Sequence, residues 1–255
     1  MAIYLAKEPH KGRKHKLKRL LDGSPESYYW LGFILADGHF TESGRMTFSL
    51  ADKDRGHLEK LATYLDVYVT TYISPRGYVY ARLAVMDVAT IKTLRERYLI
   101  SNNKTIKPPK LSSLSKEEIE YISIGFIDGD GNIRKQPRRQ GARISIKVHG
   151  SWEETLKILF PTAQCAINAC GYARAFITRH SECVRLKTIA KSLPSLQRKW
   201  DEIDEEFVSK YDVASERLAV ALEMKEAGFR NIDIAKHIGI SAAGVTKLFR
   251  RYYGE

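Results

Sequence analysis

Two apolar stretches of the chain read almost alike, "YYWLGFILADGHF" at 28–40 and "YISIGFIDGDGNI" at 121–133, each ending in an acid followed by glycine. Ser24 as N-cap and Pro25 at the first helical position open a helix before the first stretch, which Gly38 ends. Strands of period two then follow at 39–41 and 45–50 about a turn at Glu42-Ser43-Gly44, with a helix over 53–65. A second hairpin, 67–74 and 78–85 around "SPRG", leads to a helix over 88–98. After "NNKTIKPPKLSS" the order recurs: a helix capped at Ser115 and running to Asp128, strands near 132–136 and 142–148, and a helix from Ser151. Strands near 173–178 and 183–187 and a helix over 189–203 complete it. The pattern predicts an α+β protein built from two copies of one α-β-β-α-β-β-α unit, a repeat that rests on motif and element order.

The strands alternate as half-buried antiparallel strands do. Ile144, Ile146 and Val148 oppose Arg143, Ser145 and Lys147; Val79, Ala81 and Leu83 oppose Tyr78, Tyr80 and Arg82; Met46, Phe48 and Leu50 oppose Arg45, Thr47 and Ser49. Each sheet therefore has one face for helices and one rich in Arg, Lys, Tyr, Ser and Thr. Such a ribbon fits the major groove of DNA, where Arg and Lys read guanine edges; a wet sheet surface is the plainer alternative.

Charge favours the first. The net charge is +12 with a pI near 9.5, a field that attracts polyanions. Residues 7–19 hold seven Lys or Arg against one acid, and residues 132–147 hold six and none. The first run reads as an arm lying on phosphates, with a solvated tail or localisation signal as alternatives. The face-borne set expected to touch DNA is Arg45, Thr47, Tyr72, Arg76, Tyr78, Tyr80, Arg82, Arg134, Gln136, Arg138, Arg139, Arg143, Ser145, Arg174, Arg185 and Lys187. No apolar run approaches the roughly 20 residues of a membrane span, and the first residues lack a secretory signal. The expectation is an intracellular protein of a bacterial or phage-infected cell, or of an organelle. Cys165, Cys170 and Cys183, without a C-x-x-C pair, read as reduced packing residues.

Gly32 and Ala36 lie one turn apart in the first helix, as do Gly125 and Gly129 in the second. If these small-residue faces pack together, Asp37 and Asp130 meet. A carboxylate at a helix C-terminus opposes the macrodipole by roughly 0.3–1 kcal/mol, and two neighbouring carboxylates repel further. Something must compensate, and a divalent cation with oxygen ligands does so. "DGDGN" also begins like a calcium loop, but Ile133 stands where that loop needs Gly and Arg139 where it needs Glu.

Residues 30–38, "WLGFILADG", and 123–131, "SIGFIDGDG", resemble the nine-residue signature of LAGLIDADG homing endonucleases, and residues 24–205 resemble the single-chain, two-motif members of that family. The resemblance implies that the two helices form a pseudo-twofold interface and that the sheets make a saddle over double-stranded DNA. It also implies a metal site made by Asp37 and Asp130 together with Ala36, Gly38, Gly129 and Gly131. Mg²⁺ is the implied ion, with Mn²⁺ substituting and Ca²⁺ binding without cleavage. The first copy carries Leu35 where the signature has an earlier acid, which Asp128 keeps; that acid is usually not the catalytic one. Ser49 and Lys147 match the family's polar position on the second strand of each half, so unequal half-sites are expected. Lys104 and Lys199 are candidates for organising solvent, although ordinary phosphate contact is the reading preferred for each.

Residues 231–250 read as a helix-turn-helix: Ala235 at the crossing, Gly239 in the turn, Ser241 as cap, and Ile234, Ile240, Val245 and Leu248 as core, preceded by a helix over 215–227. A helical bundle for packing or dimerisation is the alternative. Docked as such modules dock, Ser241, Ala242, Ala243, Thr246, Lys247 and Arg250 face the major groove. The expected organisation is a basic arm (1–22), a first half (23–104), a linker (105–114), a second half (115–205) and the helix-turn-helix module (206–255). The leading expectation is a monomeric, metal-dependent, site-specific double-strand endonuclease. A non-cleaving DNA-binding regulator and an RNA-binding intron maturase remain open. An intein is not expected, since the chain has no splice-junction residues.

Overall fold

The computed structural model describes residues 3–5, 15–136, 141–207 and 210–253. Strand β1 (Ile3–Leu5) precedes a first unit of α1 (Pro25–Asp37), β2 (His39–Phe40), β3 (Arg45–Ala51), α2 (Arg55–Leu65), β4 (Thr70–Ile73), β5 (Val79–Met86) and α3 (Val88–Tyr98). A second unit repeats the order with α4 (Lys116–Asp130), β6 (Gly131–Lys135), β7 (Ala142–His149), α5 (Glu153–Leu159), β8 (Gln164–Ile167), β9 (Tyr172–Ile177) and α6 (His180–Lys191). The short α7 (Gln197–Trp200) and three helices, α8 (Lys210–Glu226), α9 (Asn231–Ile238) and α10 (Ala242–Tyr253), follow. The sheets run β1-β4-β5-β3-β2 and β6-β7-β9-β8, antiparallel throughout. No described helix is long and apolar enough to cross a membrane.

Capping fixes both long helices. Ser24 accepts the Ser27 N–H at 3.1 Å, and Ser115 and Glu118 close a reciprocal capping box. Tyr28 through Leu35 of α1 are all buried, because the helix has sheet on one side and α4 on the other. That contact is backbone against backbone. A Cβ at Gly32 would overlap the Ile122 carbonyl and stand 2.9 Å from the Phe126 nitrogen; one at Gly125 would overlap the Tyr29 carbonyl and stand 2.8 Å from the Phe33 nitrogen. The two clashes match residue for residue across the repeat.

Four elements differ from expectation. The 183–187 segment is helix, in α6: Cys183, Leu186 and Ala190 are buried at helical spacing, which "VRLK" imitates as alternation. The partner of β9 is β8, joined by a turn in which Asn168 accepts the Cys170 and Tyr172 N–H groups at 3.1 and 2.9 Å and Gly171 adopts φ 74°. The helix expected over 189–203 is broken, because Pro194 cannot continue α6. Finally, β1 adds an edge to the first sheet, and residues of the basic run turn inward: Leu17 and Leu20 are buried, while the Arg19 guanidinium lies 5.6 Å from the Tyr64 ring centre. Helix α4 also runs on to Asp130. Of the cysteines, only Cys183 is deeply buried and Cys170 is exposed.

Helices α8 to α10 form a separate small core of Ala221, Ile234, Ala235, Ile238, Val245 and Phe249, with Ile240 and Leu248 packed at its edge. Gly239 takes φ 69° at the turn, and the Ser241 hydroxyl accepts the Gly244 N–H at 3.0 Å.

Glycine substitutions separate close approach from helix propensity. Gly125→Ala is expected to cost about 3 kcal/mol or more in urea unfolding, since backbone must move. Gly56→Ala, in α2 with open space around it, is expected to stabilise by up to about 1 kcal/mol. Equal effects at the two positions would contradict the packing described.

Candidate active site

The paired glycines bring the C-terminal ends of α1 and α4 together, and each helix ends on an acid. Asp37 Oδ2 lies 3.1 Å from where a Cβ on Gly129 would stand. Burial, then the neighbouring Asp130 charge, push the Asp37 carboxyl up to about 6, and burial raises Asp130 as well. The chain turns away at Gly38 and Gly131, where a Cβ would come within 2.6 Å of the Ile34 carbonyl oxygen and 2.5 Å of that of Ile127. The motif's last glycine is thus a steric necessity of the turn.

Two lysines answer the acids. Lys104 Nζ donates to the carbonyls of Leu35 (2.6 Å) and Ala36 (2.7 Å). Lys199 Nζ donates to those of Ile127 (3.0 Å), Gly129 (3.0 Å) and Gly131 (2.8 Å), and also to that of Asp128. C-terminal carbonyls lack intrahelical partners and carry the negative end of the dipole, so an ammonium there satisfies and neutralises them at once. Both amines are turned inward onto backbone, which corrects the phosphate-contact reading. Burial pulls their pKa down; Asp130 and Asp37 oppose that shift at Lys104, and Asp128, Asp37 and Asp130 oppose it at Lys199.

With both lysines in place, burial and then the Asp130 charge still hold Asp37 near 6, a cost that a cation beside the two carboxylates would relieve. The donor chemistry suits a hard ion: two carboxylates, and no group of three or more His, Cys, Asp or Glu among the described residues. Mg²⁺, which keeps waters and takes phosphate oxygens, needs no more than that from a protein. The expected contribution of Ala36, Gly129 and Gly131 is different, because their carbonyls face ammonium groups. Of the expected set, Asp37, Asp130 and Gly38 are left.

Asp128 is 2% exposed and stands apart from this work. Its carboxylate accepts from the Tyr29 hydroxyl (2.7 Å), the Leu196 N–H (2.7 Å) and the Trp200 indole (2.8 Å). Leu35 occupies the same motif position in α1 and is buried in apolar surroundings. His57 packs edge-on to Phe33 with ring centres 4.7 Å apart, and its Nε2 is 3.1 Å from the Tyr29 oxygen. Burial holds its pKa down near 3. Sequence reasoning missed Tyr29, Trp152 and Trp200, whose partners lie far away along the chain.

The outward sheet faces carry most of the expected set. Arg45, Thr47 and Ser49 on β3 face outward with Tyr72 on β4 and Tyr80 and Arg82 on β5; Ser49 pairs with Arg82, and the Tyr72 and Tyr80 rings lie 6.1 Å apart. Arg76 and Tyr78 are exposed at the β4–β5 turn. On the second sheet Arg134 opposes Arg143, and Lys147 opposes Arg174. Ser145 shares that face, and Gln136 follows β6. Arg143 lies over Phe176 at 5.5 Å and Lys147 over Tyr172 at 4.1 Å. None of the nine described strands contains an acid. Like charges directly across strands cost roughly 0.2–1 kcal/mol each, a load that the ring contacts of Arg143 and Lys147 offset in part.

Two expectations change. Arg185 is in α6, paired with Glu182 and Glu120 at 2.9 Å each, and Lys187 is buried, donating to the Ile203 carbonyl at 2.7 Å. Neither belongs to a strand face. Arg138 and Arg139 lie outside the described residues. On α10, Ala242, Ala243, Thr246, Lys247 and Arg250 are exposed opposite Val245 and Phe249, and Ser241 precedes them.

Folding raises the Asp37 pKa from about 3.8 to about 6, so the folded protein holds this proton more tightly than the unfolded chain. Its contribution to stability is therefore present below about pH 4 and lost as pH rises through 6. In chelator, Asp37→Asn is expected to be the more stable protein at pH 7.5, by up to about 3 kcal/mol, with the difference shrinking toward pH 4 in urea unfolding. A difference independent of pH would contradict the electrostatic origin.

No protein-family profile matches the chain, and no curated protein matches it significantly. Among solved structures, the LAGLIDADG meganuclease I-AabMI bound to uncleaved DNA overlaps with a TM-score of 0.46 at 19% identity, covering 70% of this chain and 88% of that one. I-SmaMI, bound to uncleaved DNA with calcium, overlaps with a TM-score of 0.42 at 13% identity over 84% and 96%. I-CpaMI bound to uncleaved DNA gives 0.40 at 12% identity over 88% and 97%. Overlaps this slight fix no activity for the chain.

Proposed function

We propose that the protein is a site-specific DNA endonuclease that hydrolyses one phosphodiester in each strand. The observation that carries this reading is the meeting of Asp37 and Asp130, at an electrostatic cost, between two acid-free basic sheets. A protein that needed only stability would not place two buried carboxyls with raised pKa side by side there.

In this reading the sheets bind first. Arg45, Arg82, Arg134, Arg143 and Arg174 meet phosphates and base edges, relieving the like-charge pairs of the free protein. Asp37 and Asp130 would hold divalent ions, which when bound lower the pKa of water and stabilise charge on the phosphate and leaving oxygen. Lys104 and Lys199 keep the two helix ends fixed and neutralised, so the carboxylates need little rearrangement as charge develops. Dry, oriented groups of this kind act more strongly than the same groups in water. Helices α9 and α10 serve as a helix-turn-helix that lengthens the recognised site, with Lys247 and Arg250 on phosphates or bases. The chain acts as one molecule carrying two unlike half-sites, of which the one ending α4 has the more heavily bonded lysine.

The test is cleavage of a randomised DNA library in Mg²⁺, with cut sites mapped by sequencing. Asp37→Asn and Asp130→Asn are each expected to reduce double-strand cutting at a mapped site by at least about a hundredfold, while specific binding survives. Full cutting by either variant would defeat the proposal. Binding by the wild-type protein without any cutting would make it a DNA-binding regulator instead. Replacing Lys247 and Arg250 by alanine is expected to flatten the slope of log K against log salt by about one unit for each phosphate no longer neutralised, leaving the cut positions unchanged.

A further inference from the structure

Each lysine at a helix end is carried by a segment with little regular structure, 99–115 for Lys104 and 192–205 for Lys199. A lysine stem is long, and its ammonium is strongly hydrated. Carbonyl bonds alone would not hold it in a buried cluster unless the segment behind it were fixed. Both segments are fixed from across the α1–α4 contact. In the second unit, the Trp152 indole N–H donates to the carbonyls of Lys104 (3.0 Å) and Thr105 (3.1 Å). Trp152 is 3% exposed, with its ring centre 5.3 Å from that of Phe126 on α4.

In the first unit, Tyr29 donates to Asp128 at 2.7 Å, and Asp128 in turn accepts from Leu196 and Trp200, on either side of Lys199. Asp54 grips the adjacent Arg198 with two bonds of 2.7 and 2.8 Å, and the Lys60 ammonium donates to the Ser195 carbonyl at 2.9 Å. The two arrangements use different side chains for the same end. Where α4 offers Asp128 as an anchor, α1 offers Leu35, and the indole of Trp152 does the holding instead.

We infer that Trp152, and Tyr29 acting through Asp128, are positioning residues that set Lys104 and Lys199 on their helix ends from the opposite unit. Each lysine's segment is tied to the other unit, Lys104's through Trp152 and Lys199's through Tyr29, Asp54 and Lys60, so the units complete each other's sites. The positional claim stands on the protein alone; its consequence for cutting rests on the nuclease reading. In that reading, loss of one clamp slows one strand, because each lysine supports one helix end and one acid.

The first measurement needs no DNA. The full-length protein is treated with an amine-acylating reagent, and modification of Lys104 and Lys199 is followed by peptide mass spectrometry. Both are expected to be protected in the wild type. Trp152→Phe should speed modification of Lys104 about tenfold, the scale of one missing hydrogen bond, and leave Lys199 unchanged. Asp128→Asn should do the reverse. Tyr29→Phe, which removes a single oxygen, keeps the test decisive if Asp128→Asn fails to fold, with the same selectivity for Lys199.

Equal acceleration at both lysines would indicate general loosening and overturn the inference, as would unchanged protection in a variant with a cooperative melt. The second measurement is strand-resolved nicking at a mapped site, where the Trp152 and Asp128 variants should slow opposite strands in kcat with KM unchanged. Slowing of both strands alike would also overturn it. No cutting by the wild type would defeat the nuclease reading alone, leaving acylation to decide the positioning.

Discussion

The structure depends on how near the backbones of α1 and α4 come. With any side chain at Gly32 or Gly125, the carbonyls of Ile122 and Tyr29 would have to retreat. The helices would then part, and Asp37 and Asp130 would no longer share one environment. The burial of α1, the raised carboxyl of Asp37 and the lysine-capped helix ends all follow from that one approach.

Charge is arranged in two tiers around it. At the centre, two acids face two lysines, and burial still holds the Asp37 carboxyl up near 6. On the sheets the charge is positive, since the described strands hold Arg and Lys opposite one another and no acid. A polyanion lying on the sheets with cations at the centre removes both tensions together. That correspondence, more than the total charge, is what the proposed action on nucleic acid rests on.

Much of this was legible in the sequence because one-sided burial writes itself as alternation. β3, β5 and β7 each keep apolar residues on the helix side, and their limits fell within a residue or so of those expected. β8 left no such trace: it is an edge strand with most of its residues exposed, so its side chains carry no period. The α6 segment misled because a short apolar alternation is compatible with a helix face. The acids were legible as a pair since motif and glycine spacing locate them. The lysine contacts were not, because Lys104 and Lys199 reach carbonyls 68 to 72 residues away, and backbone acceptors have no residue identity to read. Asp128 looked like a second motif acid and proved to be a buried anchor, a difference decided by Trp200 and Leu196.

The glycine contact also has a consequence in time. Gly32 and Gly125 lie 93 residues apart, and a ribosome adding 5–20 residues per second needs roughly 5–20 s to make that span. During that interval α1, apolar nearly all round, has emerged without the helix that covers it. The nascent first unit must therefore wait with an open apolar face, exposed to proteases, chaperones and other nascent chains. Synthesis rate and the retention of the chain on the ribosome thus bear on the yield of this protein more than on one whose first helix is covered by its immediate neighbours.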